Sequence, residues 1–127
     1  MLRMSIERGD VEWEARVRAA HHRLARTQVY LADGSVNAAW SAAHGAFHRA
    51  LLDACGNSVL LDTFDRMWTA SQLARRWSGH RTLDRDYVDD HRRREEAALA
   101  RDADTAAELL ADHVSITADA LTRPDAR

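Results

Sequence analysis

The chain has 127 residues, 46% apolar and 30% charged, with a formal net charge of −2 and a single cysteine. That length is one domain around one core, and the near-neutral balance leaves no basic footprint for nucleic acid. Cys55 has no partner for an internal disulfide and suits a reducing cytoplasm, and the absence of an apolar run near ~18 residues or of a signal-peptide core leads us to expect neither a membrane span nor export.

One proline, five glycines and no sustained period-two alternation favour helix throughout. Residues 2–8 predict a short helix closed by Gly9, shortened relative to a full element. Asp10 then caps a second helix, with Glu12 and Glu14 complementing its dipole and an apolar stripe running through Val11, Ala15, Val17 and Leu24 to about Val29. The Asp33-Gly34 step marks a turn. Asn37 caps a third helix carrying Trp40, His44, Phe47, His48, Leu51 and Leu52 to Ala54, and Gly56 stops it. A fourth helix spans 58–77, with Leu60, Leu61, Phe64, Trp68 and Leu73 on its buried side. After a polar connection at 78–82, a fifth helix over 84–101 buries Tyr87, Val88, His91, Ala98 and Leu99. The sixth starts at Asp102 or Asp104 and buries Ala106, Leu109, Leu110, His113, Thr117 and Leu121 before Pro124 ends it. About six helices with single apolar stripes and short loops predict an all-α antiparallel bundle, one domain over residues 1–127.

Four histidines interrupt these apolar faces. His44 and His48 stand one turn apart, so their imidazoles share a face and are spaced to share an ion. His91 and His113 fall mid-helix, 22 residues apart, on stripes otherwise made of Tyr, Val, Leu and Ala. Any one of them alone reads more readily as a core histidine bonded to a backbone carbonyl. Three helices each placing an imidazole at mid-depth point instead to a transition-metal site of Zn, Ni or Cu, since all-nitrogen ligation disfavours Mg and Ca. Asp89, Asp90 and Asp112 stand nearby as candidate outer partners, although solvated carboxylates are the readier account of most of them. His21, His22 and His80 read as structural, and Cys55 as buried.

Arg75 and Arg76 end the fourth helix and are candidate clamps for a carboxylate, whose two oxygens match a guanidinium fork. Two solvated arginines favoured by the helix dipole are the competing account. Trp68 and Gln72, on adjoining turns, are candidate pocket walls, and Trp68 also reads as core.

The stretch His44-Gly-Ala-Phe-His48-Arg-Ala-Leu-Leu-Asp-Ala-Cys-Gly-Asn57 resembles the D-x-x-F-H-x-x-L…x-G-N motif of FCD domains, the C-terminal effector domains of FadR-type GntR transcription regulators. The stretch from His91 to Asp102, followed by Ala106 and His113, is similar to that family's H-x-x-I-x-x-A-I-x-x-x-D…A…H, with its histidine spacing kept. Residues 10–24 resemble the carbon-starvation-induced regulator group within the branch, and Arg75 matches an arginine in that group's R-Y-R stretch.

The resemblance implies an all-α, homodimeric bundle in which one Asp and three His hold a divalent metal, with a small carboxylate metabolite bound at or beside it. Carried over by position, His48, His91 and His113 match the three histidines, while His44 stands where metal-binding members have Asp. It also implies control of DNA by an N-terminal winged helix, which this sequence lacks. We therefore expect a metal-containing, carboxylate-sensing dimerisation domain acting on DNA only through that missing part. Zn is the expected ion at His44, His48, His91 and His113, with Arg75, Arg76, Gln72 and Trp68 at the effector. Two other classes remain open, a purely structural bundle without metal and a bundle metallohydrolase. The hydrolase lacks a general base, because Gly45 and not Glu follows His44. An enzyme is not expected.

Overall fold

A computed structural model describes the backbone of residues 1–77 and 87–122 and, within them, every side chain except those of 74–77, 87–88, 116–117 and 120–122. The described residues form an all-α bundle of six helices: α1 (Leu2–Arg8), α2 (Val11–Ala25), α3 (Ala38–Leu52), α4 (Ser58–Trp77), α5 (Tyr87–Leu99) and α6 (Ala103–Thr122). A 3-10 turn, Asp53–Cys55, extends α3, and a lone bridge between Tyr30 and Val36 closes the α2–α3 loop.

Short polar side chains set the helix starts. Asp10 accepts from the Trp13 amide at 2.8 Å, Asn37 from Ala39 at 3.0 Å, Asn57 from Leu60 at 3.1 Å and Asp102 from Thr105 at 3.2 Å. Gly56, at φ 70°, makes the left-handed stop expected of it. Helix α2 ends at Ala25, short of the expected Val29, because the Asn37 amide and side chain take the carbonyls of Val29 and Gln28 at 2.8 and 2.9 Å. Helix α5 ends at Leu99 and not Arg101. Arg101 turns left-handed at φ 61°, and the amides of Arg101 and Asp102 bond back to Ala98 and Ala97, a Schellman closure carried by a non-glycine residue.

Helix α2 packs on α3 and α5, α5 on α6, and α1 on α6 and the 3-10 turn, whereas α4 lies against α3 alone among the substantial helix–helix contacts. The core joins Leu2 and Ile6, Trp13 and Val17, Phe47 and Leu51, and the alanines Ala97, Ala98 and Ala106. Small residues on α5 and α6 let those helices approach closely. The buried face of α2 is Trp13, Val17 and Leu24, which corrects the expected stripe: Val11 and Ala15 are exposed, and the i, i+4, i+11 spacing from Trp13 defines the inward side. On α4, Leu60, Leu61, Phe64 and Trp68 are only half-buried. Leu73, expected inside, is exposed, as are Val59 and Met67, because among the described residues α4 has its one substantial helix contact with α3. Cys55 is fully buried. No helix among the described residues is long and apolar enough to cross a membrane.

Candidate metal centre

The histidines gather by simple helix arithmetic. His91 lies 8 residues before the end of α5 and His113 lies 10 residues after the start of α6. At ~1.5 Å per residue these are climbs of about 12 and 15 Å from the same tight turn, so both rings reach one level. His44 and His48 meet them from α3, and all four are buried.

Nitrogens of His44, His48 and His113 all lie within 4.8 Å of one another. The closest pair, Nε2 of His44 and Nε2 of His48, is 3.0 Å apart. Two metal–nitrogen bonds of ~2.1 Å span at most ~4.2 Å, so that pair suits a shared ion. His91 stands beside the triad, edge-on to His44 with ring centroids 4.8 Å apart, without joining the set whose nitrogens converge. Burial above all, then His44, Arg94, His91 and His113, holds the His48 pKa well below the ordinary imidazole value. His48 is thus neutral, the form that ligates a metal. The donors are borderline-soft imidazoles in a closed, low-dielectric setting, which fits a divalent transition ion.

Two indoles enclose His44: Trp40 stacks on it at 4.6 Å and Trp68 meets it edge-on at 5.0 Å. Trp68 also contacts His48 and lines a shallow surface groove of about 350 Å³ with Ser41, Gly45, Arg49, Phe64 and Asp65. The candidate wall residue therefore separates that groove from the histidines. Gln72 is half-buried one turn further along α4, while the side chains of Arg75 and Arg76, and all of His80, lie outside the described residues. Asp112 is exposed and Asp89 pairs with exposed Arg92; Asp90 contributes its backbone carbonyl to Arg94 at 3.2 Å.

Sequence reasoning missed Arg94. Its side chain is buried, 2% exposed, with Nη2 3.2 Å from Nδ1 of His113. The signal was present. Arg94 follows His91 by three residues, on the same helix face, where the quoted motif carries an isoleucine. Glu95, also buried, pairs with His21 and lies 3.7 Å from Arg18; desolvation raises its pKa against the pull of both partners. His21 thus faces inward on α2 while His22 is exposed, as two consecutive helix positions cannot both point to the core.

Residues 1–115 match the FCD domain family. The chain is 33% identical over 121 residues to the uncharacterised HTH-type transcriptional regulator BphR of Paraburkholderia xenovorans, covering 89% of this chain and 47% of that protein. It is 31% identical over 119 residues to the HTH-type transcriptional repressor GlaR of Escherichia coli, covering 90% and 54%. The chain thus spans about half the length of these curated relatives. No solved structure gives a significant match.

Proposed function

Because this chain belongs to the FCD domain family of GntR-type transcription regulators, we propose that it is a metal-dependent sensor of a small carboxylate metabolite and a dimerisation unit, acting on DNA through a winged helix outside residues 1–127. Its relatives are regulators and not enzymes. The observation that carries the metal reading is the convergence of buried His44, His48 and His113; His91, whose ring lies against His44, is the fourth ligand of this reading on its proximity and the family pattern and not on converging nitrogens. Zn is the ion we favour on the nitrogen donor set.

Bound there, the ion would supply positive charge and Lewis acidity toward a carboxylate. The chain's own residues do the rest. Trp40 and Trp68 hold His44 from two sides and keep water from the imidazoles. Gln72, half-buried one turn beyond Trp68 on α4, offers a polar group to an effector, and Arg75 and Arg76 stay in the reading by their chemistry alone. The exposed apolar side chains Val59, Met67 and Leu73 on α4 support the dimer reading, since apolar surface left open on a helix can seat a partner. As a regulator the protein works where DNA is, in the cytoplasm.

Elemental analysis of untagged protein tests the metal reading. About one Zn, Ni or Cu per chain, lost in His48→Ala and kept in His22→Ala, is the expected result; His22 is exposed on α2. Absence of metal after purification and after dialysis against Zn would leave a bundle with core histidines.

A further inference from the structure

We propose that Trp68 is the gate of the histidine centre: an ion or small ligand reaches His44 and His48 from the surface groove between α3 and α4 when the indole swings off them. The inference rests on the reading of these histidines as a binding centre and adds the route into it.

The centre is shut in, with none of His44, His48, His91 and His113 more than 5% exposed. A wall packed at the density of a protein interior passes neither a hydrated ion nor a carboxylate, so uptake requires a side chain to move. Apolar rings cover His44 and His48. Trp40 stacks on His44 with centroids 4.6 Å apart, Phe47 lies 5.7 Å from His48, and Trp68 touches both imidazoles, at 5.0 and 5.1 Å. Phe47 is fully buried and Trp40 nearly so. Trp68 is half-buried and also lines the groove of about 350 Å³. One ring thus has the imidazoles on one side and open space on the other. Displacing it breaks fewer packing contacts than displacing Trp40 or Phe47.

The floor of the groove suits such a movement. Gly45 stands directly under the indole, where a Cβ would lie 2.9 Å from Nε1, and the neighbouring lining residues Ala42 and Ala46 carry only methyl groups. The missing side chain at Gly45 lets the ring settle against His44, and the two alanines leave the surface of α3 beside it low. Because Gly45 lies between His44 and His48 in the chain, the seat of the gate is part of the ligand pair itself. A gate sets how fast an ion enters and leaves and not how tightly it is held, since it favours neither the empty nor the occupied centre.

The test follows two readouts in wild type, Trp68→Ala and Gly45→Ala, the last of which keeps the indole and pushes it off its seat. In metal-free protein, diethyl pyrocarbonate acylates accessible imidazoles, and peptide mass spectrometry gives the rate at each histidine. Exposed His22 calibrates the reagent, and His21, largely buried on α2 and outside the groove, reports general loosening of the bundle. His44 and His48 should react at least ~10-fold faster in both variants, because a minor open form is populated at about 10% or less in wild type. His21 should keep its rate. With a chromophoric chelator as competitor, Zn uptake and release should quicken by the same factor at unchanged affinity. Gly45→Ala decides alone if Trp68→Ala does not fold. Unchanged rates at His44 and His48, or a rise shared by His21, would overturn the gate and leave the metal reading intact. Faster release without faster uptake would overturn it too, making Trp68 a packing residue of the site. Failure of all three proteins to take up Zn would overturn the metal reading, while the acylation rates still decide the gate.

Discussion

Gly9 and Trp13 are in contact so close that no side chain fits between them: a Cβ at Gly9 would stand 2.3 Å from Cε3 of the Trp13 ring. Trp13 itself is fully buried and donates from Nε1 to the Ala50 carbonyl at 2.9 Å, tying α2 to α3 two residues after His48. The Gly9 backbone, at φ −62° and ψ 136°, is open to any residue, so the glycine is required by space alone. Gly9→Ala should therefore cost about 1–3 kcal/mol through overpacking, read as a lower urea midpoint at unchanged slope. An unchanged midpoint would mean that α1 gives way without loss.

Arg101 holds three elements at once. It closes α5 in a left-handed conformation, donates to the Ile6 carbonyl, pairs with Glu14 at 2.8 Å and lies 5.3 Å from the Trp13 ring centroid. Removing the side chain should cost about 1–2 kcal/mol. Glycine relieves the left-handed strain that alanine keeps, so Arg101→Gly should be more stable than Arg101→Ala by roughly 0.5–1 kcal/mol. Thermal melts of the two variants decide it, and the reverse order would show that the backbone there carries no strain.

The depressed pKa of His48 sets a pH dependence for the metal-free protein. Below the ordinary value of 6.5 the unfolded chain takes up a proton that the folded protein resists. This contribution to stability is complete above that pH and is lost as pH falls toward the depressed folded value, by no more than about 1.4 kcal/mol per unit for this group. Urea melts at about pH 7.5, 6.5 and 5.5 should show the decline, and His48→Gln should flatten it. An equal decline in that variant would assign the effect to other groups.

Gly45 meets Trp68 as Gly9 meets Trp13, with a different expected outcome. A Cβ there would lie 2.9 Å from the Trp68 Nε1, but Trp68 stands on a helix whose one substantial helix contact, among the described residues, is with α3. Half-buried, the Trp68 indole is less confined than the fully buried Trp13 ring. Gly45→Ala should cost under ~1 kcal/mol and shift the tryptophan emission as Trp68 leaves His44. Unaltered emission would show that the ring stays.

Much of this was legible beforehand, and the exceptions have physical causes. The span of α4, the caps at Asp10 and Asn37 and the stop at Gly56 follow from local chemistry, and the structure keeps them. The end of α2 was not legible, because the groups that unwind it come from Asn37, across a loop. Nor was the exposure of Leu73, since an apolar stripe tells which side is sticky and not whether anything covers it. At the site, the i, i+4 pair of His44 and His48 could be read directly, and His113 joined them as the spacing implied. Arg94 went unread because a charged residue is ordinarily assigned to solvent. Its position three residues after His91 was the evidence against that assignment.

The placing of Trp40 and Trp68 on either side of His44 gives the centre a built-in optical reporter. A closed-shell ion such as Zn leaves indole fluorescence largely intact, whereas open-shell Cu or Ni at the same nitrogens quenches a ring a few ångströms away. The identity of an ion taken up there would therefore be read in the brightness of the protein's own emission, with no added dye.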